Sequence, residues 1–234
     1  MATQNAAPNA APTRVCLFDL NGTLLNLSVL DPHFQDAFGA PGVRTVWFSQ
    51  LTQLMLTDVA LGAYTEFSLL AGAALEIVAA RRKVALPAGA AQDILAGMRR
   101  LPPFPDVPEA LGRLQQAGVR LAVLTQSSEE AAREQVEHAK LAPYFERVFS
   151  ADTVHQLKPG PDPYARAVAE MGAALGETRL VAAHAWDIAG ALRAGLQAAF
   201  VARPDQALSP IGPQPDITGA DLTEVANKIV GIPS

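Results

Sequence analysis

Two aspartates, a lysine and a threonine attract attention because each comes at or soon after the end of a short apolar run. They are Asp19, Thr125, Lys158 and Asp187. A buried carboxylate is costly unless it is paired, and a nearby lysine favours its ionised form. An ionised aspartate could act as a nucleophile or base, and a second one could position or activate water. Taken singly, each residue also has a structural interpretation, such as a helix N-cap at Thr125 or Asp187.

The elements that carry these residues alternate between strand and helix. Apolar runs predict strands at 15–18, 119–124, 147–149, 180–183 and 198–201. Helical periodicity predicts helices at 107–117, 129–140, 163–171, 188–194 and 221–230. This alternation predicts an α/β fold with a parallel, doubly wound sheet, whose ligand site lies beyond the carboxyl ends of the strands. The four polar residues are therefore expected to meet at one edge of the sheet.

The stretch between the first strand and residue 100 has a helical period instead. Apolar residues recur at spacings of three and four in two stripes, which are Leu51, Leu54, Met55 and Val59, then Leu69, Leu70, Ala73 and Ile77. Three prolines at 102, 103 and 105 then interrupt helix formation. We predict a flexible tail over 1–12, a core built from 13–27 and 101–234, and an inserted helical cap over 28–100.

Composition restricts the partners of the protein. A net charge of -5 at pH 7 and a pI near 5.4 argue against binding to nucleic acid or to an anionic membrane. Cys16 is the only cysteine, which excludes a disulfide framework and a cysteine metal cluster. The first residues do not resemble a signal peptide, and no apolar run is long enough to span a bilayer. A cytoplasmic protein with a small soluble partner is expected.

The order and spacing of these residues resemble the haloacid dehalogenase (HAD) superfamily over nearly the whole chain. Residues 18–24 resemble its first motif, Thr125 the second, Lys158 the third and residues 184–187 the fourth. Tyr164 follows Lys158 by six residues, and this spacing makes the chain most similar to the L-2-haloacid dehalogenase (type II) branch. The resemblance to this branch implies that no metal or cofactor is used. The resemblance implies an α/β, Rossmann-like parallel sheet core (HAD-like) with an inserted helical cap domain, and a homodimer.

Two positions separate the dehalogenase branch from the phosphatases of this superfamily. A phosphatase carries a second aspartate two residues after the nucleophile and an acidic magnesium ligand four residues before the last motif aspartate, where this chain has Asn21 and Ala183. Neither side chain can supply the proton or the hard oxygen ligand that phosphoryl transfer needs. The branch usually has tyrosine at position 21. A phosphatase and a non-catalytic protein that binds small carboxylates remain the alternatives.

The resemblance implies a covalent mechanism. Asp19 would attack C2 of a short 2-haloacid, halide would leave, and water would hydrolyse the aspartyl ester to a 2-hydroxy acid. Lys158 would keep Asp19 ionised, and Asp187 would position or activate the water. Hydrogen bonds to the carboxylates are assigned to Thr23, Thr125 and the backbone N–H groups of Leu20 and Asn21. Tyr164 supports the site, or simply packs within its helix.

Halide binding is where the chain departs from the branch. The branch has an arginine directly after a cap tryptophan, and the best match here is Trp47 followed by Phe48. The branch asparagines of motifs two and four are Gln126 and His184 here. We expect Trp47, with His184 or Gln126, to replace the arginine as donors, Trp186 to offer a further indole N–H, and Phe48 to form an apolar wall. Three alternatives stay open. Trp47 and Phe48 could be ordinary packing residues of the cap, Arg44 could reach into the site, and His184 could be either a base or a structural residue.

Overall fold

The computed structural model describes residues 11–232 and contains the expected parallel sheet. Within these residues six parallel strands run in the order β3-β2-β1-β4-β5-β6. They are β1 (Val15–Phe18), β2 (Arg120–Thr125), β3 (Arg147–Ser150), β4 (Thr178–Ala182), β5 (Gln197–Val201) and β6 (Ile217–Gly219). The prediction of an α/β, Rossmann-like fold is confirmed, and only the short edge strand β6 was not predicted. Residues 1–10 of the expected tail lie outside the described residues.

Helices cover both faces of the sheet and form most of the segment between β1 and β2. The first four are α1 (Asp31–Phe38), α2 (Val43–Leu61), α3 (Phe67–Arg82) and α4 (Ala90–Gly97). The others are α5 (Val107–Gln116), α6 (Glu129–His138), α7 (Pro161–Glu170), α8 (Ala185–Arg193) and α9 (Leu222–Ile229). We call residues 28–100 the cap. None of the helices in residues 11–232 has the length and apolar character needed to cross a bilayer.

Strand β1 lies at the centre of the sheet because it is apolar on both faces. Cys16 and Phe18 belong to one hydrophobic cluster, whereas Val15 and Leu17 belong to the cluster on the opposite face. This alternation is the two-residue period of a strand covered on both sides. Burial raises the pKa of the Cys16 thiol to about 12, so this thiol is a packing group. The strand delivers the residue after Phe18 to the middle of the sheet edge.

The two backbone connections between cap and core run side by side. The Asn26 N–H donates to the Pro102 carbonyl at 2.9 Å, and the Phe104 N–H donates to the Leu24 carbonyl at 2.9 Å. The proline-containing segment thus pairs with the chain that leaves β1. These paired segments anchor the cap directly beside the loop that follows Phe18.

The predicted stripe on α3 is correct at Leu70 and wrong at Leu69. Leu69 is 64% exposed, and the buried face consists of Phe67, Leu70, Ala71, Ala74, Leu75, Val78 and Ala79. The helix is apolar almost all round, so spacing alone cannot show which face packs against α2. In α2 the prediction was better, because Leu51 and Met55 are buried. The strand predicted at 119–124 lies one residue later, which makes Thr125 the last residue of β2.

Gly190 in α8 gives a test of how tightly the core packs beside the sheet edge. A Cβ at this position would lie 2.5 Å from Pro159 Cβ and 2.6 Å from the Tyr164 hydroxyl oxygen. We expect Gly190→Ala to lower the free energy of unfolding by about 1–3 kcal/mol, the usual cost of overpacking. Urea denaturation measures this change.

The matched control is Gly72→Ala in α3, where an added Cβ meets nothing within 4 Å. Relief of the helix-interior penalty of glycine should raise stability there by about 0.5–1 kcal/mol. Equal effects of the two substitutions would contradict the packing argument.

Candidate active site

A buried ammonium group holds the two aspartates together. Lys158 Nζ donates to Asp19 Oδ1 at 2.9 Å, to Asp187 Oδ2 at 2.6 Å and to the Leu124 carbonyl at 2.9 Å. All three charged side chains are buried. The lysine therefore uses its three N–H donors on three acceptors, which satisfies a charge that would otherwise be very costly to bury.

Three neighbouring strands bring these groups to one edge. Asp19 follows β1, Leu124 lies in β2, and His184 and Asp187 follow β4, which pairs with β1 on its other side. Asp187 lies in the first turn of α8, where a helix N-terminus favours negative charge. Lys158 arrives on the loop before α7. The topology thus explains why residues distant in the sequence meet here.

The second oxygen of Asp19 has donors of its own. Thr23 Oγ1 donates to Asp19 Oδ2 at 2.6 Å and accepts from the Ala183 N–H at 3.0 Å. His184 Nδ1 lies 3.0 Å from the same Asp19 oxygen, and it must act as the donor because a carboxylate only accepts. The tight turn after Asp19 makes this possible, since the Leu20 carbonyl accepts from the Leu24 and Leu25 N–H groups.

Gly22 is needed in this turn for two reasons. Its φ is +82°, in the left-handed region that favours glycine. A Cβ there would also lie 3.2 Å from His184 Nε2. Glycine therefore lets the turn approach the imidazole closely enough for His184 to reach Asp19.

The charges of the site determine the protonation states of the two aspartates and the lysine. Burial raises the pKa of Asp19, but Lys158 and the donors His184 and Thr23 outweigh it, so the net pKa lies well below the ordinary 3.8. Burial lowers the pKa of Lys158, and the two aspartates more than reverse this, so the net pKa is raised. Burial and the charge of Asp19 raise the pKa of Asp187 despite Lys158. Asp19 is thus an ionised carboxylate, and Asp187 is the more basic of the pair.

Tyr164 contacts Asp187 rather than solvent. Its hydroxyl donates to Asp187 Oδ1 at 2.6 Å, while Lys158 occupies the other Asp187 oxygen. Burial and the Asp187 charge raise the pKa of Tyr164 well above 10, so it stays a donor. The predicted supporting position of Tyr164 thus has a clear geometric basis.

A small cavity of about 20 Å³ lies over Asp19 between core and cap, with room for one water molecule. Its lining consists of Asp19, Asn21, Phe48, Met55, Phe67, Thr125, Gln126, His184 and Trp186. The His184 ring is stacked between Phe48 and Trp186, with centroid distances of 5.3 Å to each. This sandwich fixes the imidazole plane and leaves the cavity largely apolar.

Two cap residues do not take the positions expected for halide donors. The Trp47 indole N–H donates to the Ala71 carbonyl at 2.9 Å, and its ring packs against Phe34. Arg44 is bound to Asp31 at 2.7 Å and to Asp205 at 3.2 Å. The expectation that Trp47 supplies a donor is wrong in this structure, because successive residues of a helix point about 100° apart and Phe48 takes the inward position.

The amide side chains near Asp19 have mainly supporting contacts. Gln126 Nε2 donates to the Lys158 carbonyl at 2.8 Å, and Gln126 Oε1 accepts from the Lys158 N–H at 3.1 Å. Gln126 therefore holds the backbone of the lysine while still lining the cavity. Thr125 Oγ1 accepts from the Ser127 N–H at 3.2 Å. Thr125 lines the cavity, but its side chain hydrogen-bonds this backbone N–H and not a carboxylate.

Asn21 belongs to a network that sequence reasoning missed. Asn21 Nδ2 donates to Ser127 Oγ at 3.0 Å, and Asn21 Oδ1 accepts from Gln135 Nε2 at 2.9 Å. Gln135 also donates to the Met98 carbonyl of the cap at 2.7 Å. The available signal was Gln135 itself, a polar residue on the face of α6 that also carries the buried Ala132 and Val136.

The site does not fit a metal ion. Within residues 11–232, no group of three or more His, Cys, Asp or Glu side chains is arranged to hold one. Asp19 and Asp187 already share the ammonium of Lys158, and position 183, beside Thr23, is an alanine. A divalent cation such as magnesium prefers several oxygen ligands, which these residues do not supply.

Comparison with known proteins shows which proteins the chain is similar to. A family model for haloacid dehalogenase-like hydrolases matches residues 13–195. Haloacetate dehalogenase H-2 from Moraxella sp. (strain B) is 27% identical over 214 residues, which are 91% of this chain and 96% of that protein. The (S)-2-haloacid dehalogenase from Pseudomonas sp. (strain YL) is 26% identical over 201 residues, 85% of this chain and 87% of that protein.

A solved structure gives the same fold. The L-2-haloacid dehalogenase from Xanthobacter autotrophicus, with chloropropionic acid covalently bound, superposes with a TM-score of 0.84 at 21% identity and covers 94% of this chain and 100% of its own. At 21% identity, this likeness shows a shared fold and nothing further. Because the family model spans well over half of the sequence, the chain belongs to the haloacid dehalogenase-like hydrolase family.

Proposed function

We propose that this protein is a metal-independent hydrolytic dehalogenase of 2-haloalkanoic acids, with Asp19 as the nucleophile. The observation that carries the proposal is the position of Asp19, an ionised carboxylate paired with Lys158 at the floor of a small, largely apolar cavity. The names of the relatives, haloacetate and (S)-2-haloacid dehalogenases, support the substrate class. The product is the 2-hydroxy acid, and halide is released.

In the first step, a carboxylate oxygen of Asp19 forms a bond to C2 while the carbon–halogen bond breaks and halide leaves with the electron pair. No proton is required, which suits Asn21 and an ionised, weakly solvated nucleophile. We assign Oδ1 as the attacking oxygen, because it has one donor, Lys158, whereas Oδ2 has two, Thr23 and His184. Lys158 then remains beside the new ester oxygen and the ionised Asp187.

In the second step, water adds to the carboxyl carbon of the aspartyl ester. Negative charge develops on Oδ2, where the Thr23 hydroxyl and the His184 N–H form an oxyanion hole. We assign Asp187 as the base that takes the proton of the water, since its raised pKa makes it the more basic carboxylate. Collapse of the adduct breaks the bond between the carboxyl carbon and Oδ1, and the departing alkoxide takes the proton held by Asp187 and leaves as the hydroxy acid. Asp19 then carries one oxygen from water and ionises again by losing the remaining water proton to solvent.

Halide binding uses the remaining donors of the cavity. With Trp47 committed to Ala71, the groups that line the cavity and carry N–H donors are Asn21, Gln126, Trp186 and His184. The Nδ1–H of His184 is engaged with Asp19, and the Asn21 amide binds Ser127 and Gln135. We therefore assign the halide to the Trp186 indole N–H and to the second amide N–H of Gln126, whose first N–H binds the Lys158 carbonyl. Phe48 provides the apolar wall. Space for one water is too small for a haloacid, so substrate entry requires movement of the cap or of cavity side chains.

The rival functions have weaker support. Asn21 and Ala183 remove the groups on which a magnesium-dependent phosphatase depends. A protein that only bound a carboxylate would not need a buried, ionised aspartate held by Lys158 on one oxygen and by Thr23 and His184 on the other. The homodimer and the cytoplasmic location stay predictions from the sequence and its family resemblance.

The covalent route predicts isotope incorporation into Asp19. Over many turnovers of a 2-haloacid in oxygen-18 water, the peptide that contains Asp19 should gain label, because each ester hydrolysis leaves one solvent oxygen on the carboxylate. Mass spectrometry of the digested protein measures this. Asp19→Asn should reduce halide release by at least about 10⁴-fold. Full turnover without label in Asp19 would refute the covalent route.

Lys158→Met should raise the pKa of Asp19. Burial remains while the stabilising charge is gone, so Asp19 should titrate above its ordinary 3.8 instead of well below it. In the wild type the lowered pKa contributes stability above pH 3.8, which is lost as the pH falls through the folded-state pKa. Loss of the cation should lower the free energy of unfolding near neutral pH by about 3–5 kcal/mol.

Carboxyl carbon-13 NMR of aspartate-labelled protein follows the titration without any need for activity. Lys228→Met is the matched control, because Lys228 forms an exposed pair with Glu224 at 2.6 Å. Its effect on stability should stay below about 1 kcal/mol. An Asp19 pKa that does not move in Lys158→Met would contradict the proposed charge balance.

His184 variants separate the oxyanion-hole role from a role as base. His184→Ala removes one donor to Oδ2, so ester hydrolysis should slow by about 10²–10³-fold while a single-turnover burst of halide persists. Rapid-quench halide assays and the mass of the Asp19 peptide would report the accumulated ester. His184→Asn keeps an N–H and should recover part of the rate. If His184 were the base, the asparagine and alanine variants would be equally slow.

A further inference from the structure

A second and much larger cavity lies next to the one over Asp19. Its volume is about 390 Å³, and it lies between the cap helices α3 and α4 and the core helix α6. The apolar part of its lining consists of Phe67, Ala71, Leu95, Ala96, Met98 and Ala131. Ligand cavities commonly have this size and this mainly apolar character.

The two cavities share a wall. Phe67 lines both of them. On the core side, Asn21 lines the cavity over Asp19, while its hydrogen-bond partners Ser127 and Gln135 line the larger one. One phenyl ring and one hydrogen-bond network therefore separate the nucleophile from the larger space.

The one cation among the lining residues of the larger cavity is already paired. Arg99 binds Glu134 at 2.8 Å, and the Glu66 carboxylate accepts from the Ser68 N–H at the start of α3. Arg99 is therefore not free to bind a second carboxylate of a ligand, and the charge of Glu66 would repel one. The lining thus suits an uncharged apolar group and disfavours a dicarboxylate.

We propose that the larger cavity binds the alkyl chain of a 2-haloalkanoic acid of roughly four to six carbon atoms. The carboxylate and C2 lie at Asp19, and the chain passes Phe67 to lie between α3, α4 and α6. This inference rests on the proposed dehalogenase function and extends its substrate range beyond the two- and three-carbon haloacids. Displacement of the Phe67 ring joins the two spaces.

The test is a chain-length series in the wild-type protein. Halide release is measured with 2-chloro derivatives of acetate, propionate, butyrate and hexanoate. If the chain is buried, kcat/KM should rise about fourfold for each further methylene from butyrate to hexanoate. In Ala131→Phe, a ring fills the cavity, and the hexanoate-to-acetate ratio of kcat/KM should fall close to one. The matched control Ala165→Phe adds the same ring on the exposed face of α7 and should keep the wild-type ratio.

Calorimetric binding of halogen-free hexanoate and acetate tests the subsite without chemistry. Hexanoate should bind more tightly than acetate, and Ala131→Phe should abolish the difference. If chloroacetate is turned over but chain length has no effect, the subsite is overturned and the dehalogenase function stands. If no haloacid is turned over but the hexanoate preference is present and lost in Ala131→Phe, the subsite is supported and the proposed reaction fails.

Discussion

The site depends on burying one ammonium group between two carboxylates. A charge as well buried as that of Lys158 is tolerated only because each of its three N–H groups meets an acceptor, on Asp19, on Asp187 and on the Leu124 carbonyl. The acceptors come from the ends of three adjacent strands or the turns that follow them. The position of Lys158 therefore requires the sheet order β2-β1-β4, and Gln126 secures it by holding the lysine backbone from both sides.

The same arrangement shifts the pKa values of the two aspartates in opposite directions. Asp19 has donors on both oxygens from Lys158, Thr23 and His184, which keeps it ionised. Asp187 is more deeply enclosed and faces the charge of Asp19, so its pKa moves the other way. Two buried carboxylates that share one cation thus differ in basicity, as the proposed roles of nucleophile and base require.

The sequence was informative about the sheet and much less so about the cap. Short apolar runs with a polar end located Asp19, Lys158 and Asp187, because the carboxyl ends of parallel strands must meet at one edge. The rotation of a helix that is apolar nearly all round has no comparable local signal. Leu69 was therefore expected on the buried face of α3, although it is exposed. Trp47 was expected to line the site together with Phe48, although of the two only Phe48 lines the cavity. The Asn21–Gln135 contact joins residues 114 positions apart, so no local pattern reveals it.

The departures from the family pattern at Phe48 and His184 are physically connected. Phe48 stacks on the imidazole of His184, which also stacks on Trp186, and this sandwich directs Nδ1 towards Asp19. An arginine at position 48 would bring a cation against a ring that must donate to Asp19. It would also add a second positive charge near a carboxylate that Lys158 already stabilises, which would weaken that carboxylate as a nucleophile. In the proposed mechanism, Phe48 and His184 therefore act together, and stabilisation is supplied at the ester oxygen instead of at the departing halide. The proposed first step then relies more on the leaving ability of the halogen itself.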